Sequence, residues 1–248
     1  MTVISIDLAY KRYSDVGVVA LTQVDERVSV EVLRLANLGL SGQPATSDLA
    51  RCLETLAQDR GAQVMLIDGP QAWKSPSNGL EHSRRCERAL NTPGKTGLPG
   101  NTKPANYCGF IAFSIELFDE LASHGWPRLA AIDPPDPACR VTIESFPTSA
   151  WRKLGLTPLP GKAKATAGSV QRKLAELQGL FSLQVRPDLT HDELQAVVAG
   201  LAGLALERGD PQGYSGVGCP PVQEDGSWRE GFIINPTLAA VARRTPAV

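Results

Sequence analysis

At 248 residues, 42% of them hydrophobic, the chain is long enough for one large domain or two small ones and can bury a sizeable core. A formal net charge of −1 excludes a global attraction for polyanions, so a nucleic-acid site has to come from local patches. Five cysteines without a CxxC spacing and three scattered histidines argue against a disulfide framework and a zinc site; with no basic, apolar leader and no apolar stretch long enough to span a bilayer, a soluble cytoplasmic protein with no membrane partner is expected.

Three runs rich in β-branched residues come first, at 3–9, 16–22 and 28–36, joined by short polar connectors that fit antiparallel hairpins. The first ends in Asp7, a carboxylate that strands disfavour and that must find water, donors or a metal. Residues 47–60 read as a helix, because Leu49, Leu53 and Leu56 recur at helical spacing behind Asp48. A buried strand, VMLID, follows and stops at Gly69-Pro70. Residues 71–107 mix Pro, Gly, Asn and basic side chains around one helical piece, 80–90, which predicts a long functional excursion. Then come a helix at 111–125, a Pro-rich loop, a strand at 140–146, and helical stretches near 148–154 and 168–178. The last strong element is 191–207, where Leu194, Val197, Val198, Leu201 and Leu204 form one apolar stripe. From about 209 a glycine- and proline-rich segment is expected to be loop, with Gly213, Gly216 and Gly218 in a turn, before a final apolar GFIINP. No repeat and no linker appears, so residues 1–248 read as one domain.

The order of three strands, helix, strand, helix, strand, helix predicts an α/β fold of ribonuclease-H-like type. Its mixed central sheet would have three antiparallel strands leading into parallel strands, flanked by helices. A Rossmann order would alternate strand and helix from the start.

Four carboxylates stand at element ends: Asp7, Asp68 closing VMLID, Glu144 in VTIESFP, and Asp192 opening the last helix. Strand ends and helix starts that face one rim form a crevice, and acids converging there repel unless a cation neutralises them. Oxygen ligands suit Mg²⁺ or Mn²⁺, and two such ions about 4 Å apart activate water and stabilise the leaving oxygen of a phosphodiester. Each acid also has a purely structural reading. Asp68 sits in a DGP turn signal, Glu144 suits an arginine pair, and Asp192 lies within a Thr190/Glu193 capping box. PGKTG at 93–97 is not a phosphate loop, since the glycine needed five residues before Gly94 is Ala89. IDPPDP at 132–137 reads as loop because two prolines follow Asp133.

Over nearly the whole chain the residues resemble the predicted ribonuclease-H-like nucleases catalogued as domain of unknown function 429. The likeness rests on ISIDLA (4–9), LIDGP (66–70), RRCERAL (84–90), KPAN (103–106), IESFPTSAW (143–151), GKAK (161–164) and DELQAVVAGLAG (192–203). It implies that Asp7, Asp68, Glu144 and Asp192 are catalytic, metal-holding carboxylates, and that Arg84, Glu87 and Lys162 match recurring polar positions. Family members often carry a second Asp three residues after the first in the last helix; here Gln195 stands, able to ligate only as a neutral group.

Residues 74–103 hold six Lys or Arg against two acids, and residues 148–173 hold six against none. Arg84, Arg85, Lys95 and Lys162 are the expected phosphate contacts, positioning DNA or RNA without reading its sequence. Trp73 and Tyr107 are placed either to stack on bases or to anchor local packing. The leading expectation is a divalent-metal-dependent nuclease, a hydrolase in which Asp7 bridges two ions, Asp68 and Asp192 each hold one, and Glu144 ligates or orients water. One alternative is a catalytically weak or inactive nucleic-acid-binding scaffold, prompted by Gln195. A third is a phosphotransferase of the actin and sugar-kinase type, which needs a Gly-rich hairpin after the first Asp where this chain has Leu-Ala-Tyr-Lys-Arg.

Overall fold

The computed structural model describes residues 1–240, so the last eight residues of the expected single domain lie outside the described residues. Strands β1 (Thr2–Asp7), β2 (Gly17–Val24), β3 (Arg27–Val32), β4 (Val64–Asp68), β5 (Val141–Ser145), β6 (Ser182–Gln184), β7 (Tyr214–Glu224) and β8 (Ser227–Pro236) make one sheet in the order β6-β3-β2-β1-β4-β5-β8-β7. β1, β2 and β3 are antiparallel neighbours, while β4 joins β1, and β5 joins β4, in parallel. This is the expected ribonuclease-H-like arrangement. Six helices flank or cap the sheet: α1 (Thr46–Arg60), α2 (Arg85–Leu90), α3 (Cys108–Ser123), α4 (Pro147–Lys153), α5 (Ala167–Leu180) and α6 (His191–Glu207).

Alternation along each strand divides the interior into two cores. Ile4, Ile6, Met65 and Ile67 pack on one face with Leu49 and Leu53 of α1 and Leu117, Phe118 and Leu121 of α3. Val3, Leu66 and Ile143 pack on the other face with Leu194, Val197, Val198 and Leu201 of α6 and Trp151 of α4. Asp7 and Asp68 continue the period of Val3 and Leu66, which turns both carboxyls toward the α6 side. The same parity sends Glu144, which follows Ile143, to the opposite face.

Two expectations about elements are corrected. The segment from 209 is not a loop but a long hairpin, β7 against β8, and β8 pairs in parallel with β5. Pro220 and Pro221 fall at the register shift between Cys219 and Val222, on an edge strand where a missing N–H breaks no ladder. Gly216 and Gly218 therefore lie within the strand, while Gly213 closes a turn on the Asp210 carbonyl just before it. The helix expected at 80–90 is only Arg85–Leu90, because Arg84 is extended (φ −69°, ψ 162°) and its backbone N–H donates to Glu87. Among the described residues no helix is long and apolar enough to cross a membrane.

Candidate metal centre and adjoining cleft

The end of β1 places Asp7 beside Asp68, its register partner at the end of β4. The first turn of α6 descends on the same edge. Thr190 caps the helix by accepting from the Glu193 N–H, and Glu193 accepts in return from the Thr190 N–H. That exchange satisfies the helix end without Asp192, whose carboxylate, 7% exposed, is left for the acids. One ligand atom each from Asp7, His191 and Asp192 lies within 4.8 Å of the others.

Asp7 is held well above the ordinary carboxylate value, first by burial and then by the charges of Asp68 and Asp192, with Lys162 opposing. Asp68 is pushed up to about 7, chiefly by burial, while a hydrogen bond from Asp7 pulls it down and the charge of Glu144 pushes it up. Without a cation the two neighbours thus share a proton. Lys162 brings an ammonium into contact, donating to Asp192 and, at 2.8 Å, to Asp15. Burial alone would lower this lysine, but the two carboxylates raise it, so it stays charged.

His191 was passed over by sequence reasoning as one of three scattered histidines. Its Nε2 lies 3.0 Å from the Pro160 carbonyl, and its Nδ1 lies 3.0 Å from Asp192 Oδ1. With Nε2 engaged by the carbonyl, Nδ1 is presented to the same space as the Asp192 carboxylate, where the two could share a cation. Carboxylates plus an imidazole held through its far nitrogen by a carbonyl fit Mn²⁺, while the carboxylates alone would serve Mg²⁺.

Gly17 was also missed, although glycine inside a strand marks close backbone approach. A Cβ at Gly17 would lie 2.4 Å from the backbone carbon and oxygen of Asp192. Gly17→Ala is therefore expected to cost roughly 1–3 kcal/mol of stability and to weaken Mn²⁺ binding by displacing Asp192, read as a lower denaturation midpoint and a lower calorimetric affinity.

The remaining expected site residues behave differently. Glu144 does not join the other acids: Arg84 grips both its oxygens at 2.6 and 2.7 Å, and the Gln71 N–H donates to it at 3.0 Å. Arg84 is corrected from a phosphate contact to a buried clamp, 1% exposed, whose guanidinium also holds Glu87 at 3.1 Å. Gln195 Oε1 accepts from the buried Trp151 indole at 2.7 Å, so its carbonyl is already committed. Lys95 donates to the Thr92 carbonyl at 2.5 Å, Arg85 has an exposed side chain, and Lys162 lies within the acid cluster itself.

Next to Asp68 opens a cleft of 470 Å³. Its wall is built from the β1–β2 connection, the ends of β4 and β5, the excursion and the start of α3, at the C-terminal rim of the parallel strands.

A family model described as "Protein of unknown function (DUF429)" matches residues 6–215. No curated protein matches. Among solved structures, "Thermus thermophilus RuvC structure" is similar at 9% identity with a TM-score of 0.38, over 84% of this chain and 92% of that one.

Proposed function

The chain belongs to the DUF429 family, and on that premise we propose that it is a divalent-metal-dependent nuclease. The observation that carries this reading is the convergence of Asp7, Asp192 and His191, with Asp68 against Asp7, on one edge of the sheet. Asp7, Asp192 and His191 would hold one ion. Asp7 stands between Asp68 and Asp192, which makes it the carboxylate able to serve an ion on either side. Mg²⁺ or Mn²⁺ there supplies charge stabilisation at phosphoryl oxygens and a more acidic water.

The chain's own side chains do the rest. Lys162 presents a half-exposed ammonium beside Asp192, and Lys11 and Arg85 offer exposed cations, all suited to backbone phosphates of DNA or RNA. Glu144 keeps the edge in shape by tying β5 to the excursion through Arg84. The proposed ion set therefore excludes Glu144.

Mn²⁺ titration followed by cleavage assays on single-stranded, duplex, hybrid and junction substrates tests this reading. Metal-dependent cleavage of at least one substrate is the expected result. An intact set of substrates together with absent Mn²⁺ binding would overturn it. A second reading, a non-catalytic nucleic-acid binder, draws on Lys162 already neutralising Asp192 and on Gln195 being held by Trp151. Cleavage by the wild-type protein would eliminate that reading. The phosphotransferase reading finds no support, because residues 8–16 between β1 and β2 contain no glycine to wrap a nucleotide phosphate.

A further inference from the structure

The cleft that opens from Asp68 extends away from Asp192 and His191 and has the walls of a ligand site. We propose that it is a nucleobase subsite, which receives one unstacked purine or pyrimidine and directs the attached sugar-phosphate toward Asp68. The inference rests on the nuclease reading only for which bond lies next to the base; the cleft stands on its own geometry.

At 470 Å³ the cleft falls within the roughly 300–1,000 Å³ span of small-molecule sites. Tyr10, Tyr107, Phe110 and Phe146 line it together with the clamped Arg84, Glu87 and Glu144, and two of these rings are held in place. Tyr10 and Phe110 lie with ring centroids 6.2 Å apart, tilted by 57°. Tyr10 is seated against Gly109, where a Cβ would come within 3.0 Å of its ring, and Tyr107 against Gly94, where the distance would be 3.2 Å. Flat apolar faces at fixed positions select a planar ring over a flexible chain.

Ser145, the register partner of Asp68, also lines the cleft, which places an occupant next to the acids. At the rim, Lys11 Nζ sits 5.7 Å from the Tyr10 ring centre and is exposed, a cation placed for the phosphate that accompanies a base. A base enters such a cleft only when it is unpaired, so the site selects single strands, loops or flipped nucleotides over continuous duplex.

The test is calorimetric binding, with chelator present, of adenosine 5′-monophosphate, ribose 5-phosphate and a short single-stranded oligonucleotide to wild type, Tyr107→Ala and Tyr107→Phe. Tyr107 is exposed, so both variants keep the fold. The expected result is that ribose 5-phosphate binds at least about tenfold more weakly than the base-bearing ligands, that Tyr107→Ala weakens those by about tenfold, and that Tyr107→Phe restores them. Binding of the mononucleotide as tight as that of the strand assigns a free nucleotide as occupant; binding of the strand alone assigns a strand-borne base. Equal affinity for ribose 5-phosphate, no binding of any probe, or indifference to Tyr107→Ala overturns the proposal. Because these measurements exclude metal and the Mn²⁺ titration excludes nucleotide, the base subsite and the metal centre fail in separate experiments.

Discussion

Asp7→Asn is expected to remove calorimetric Mn²⁺ binding and to lower metal-dependent cleavage by roughly 10³-fold, since metal stabilisation of a phosphoryl transition state is worth several kcal/mol at about 1.4 kcal/mol per decade. The same variant should melt higher than wild type at pH 7 in chelator. Burial first, and then Asp68 and Asp192, hold Asp7 protonated in the fold where the unfolded chain would ionise it, and an uncharged isostere removes that penalty. The pH dependence follows in sign. Asp68 has an ordinary unfolded value near 4 and a folded value of about 7, so its stabilising contribution is complete below about pH 4 and is lost as pH climbs toward 7. Metal-free wild type should therefore lose stability between those values, and Mn²⁺ at pH 7 should recover it by mass action. Glu207, also pushed up to about 7 by burial, titrates in the same window but lies in the last turn of α6, so its share persists in Asp7→Asn. A variant that melts lower than wild type in chelator at pH 7 would contradict the account of the acid cluster.

The largest loss of stability is expected for Arg84→Met. Arg84, Glu87 and Glu144 have side chains 1%, 4% and 5% exposed, and among the described residues the guanidinium is the only cation paired with the two carboxylates. Deleting it strands both, which typically costs about 3–5 kcal/mol, or roughly 10 °C in melting temperature for a chain of this size. Arg84→Lys should recover little, because one ammonium cannot reproduce a fork that binds Glu144 through two nitrogens. Adding Glu144→Gln to Arg84→Met should return part of the loss, and the non-additivity of that cycle measures the coupling. Additive effects would mean that the clamp is not a unit.

The ribonuclease-H-like strand order was legible because β1 to β4 carry β-branched runs at spacings that only hairpins and one helix can bridge. Asp7, Asp68 and Asp192 were legible as strand-end and helix-start acids. Glu144 misled because sequence position shows that an acid ends a strand but not which face it takes, and Ser145 beside it is the residue in register with Asp68. His191 and Lys162 reach the acids through a helix start and an irregular loop, where no periodicity marks them. The β7–β8 hairpin was hidden by its glycines and prolines, tolerated on an edge strand though they resemble loop composition.

The contact between Lys162 and Asp192 would give the proposed metal capture the character of ion exchange. A cation tethered to the chain already sits on the acids, so an arriving divalent ion has to displace a resident competitor. Displaced from Asp192, the ammonium would stay paired with Asp15 on the half-exposed rim. Under the proposed function, loading the centre would then strip one counter-charge from this lysine, and metal and an anionic strand would favour one another's binding with no movement of the sheet.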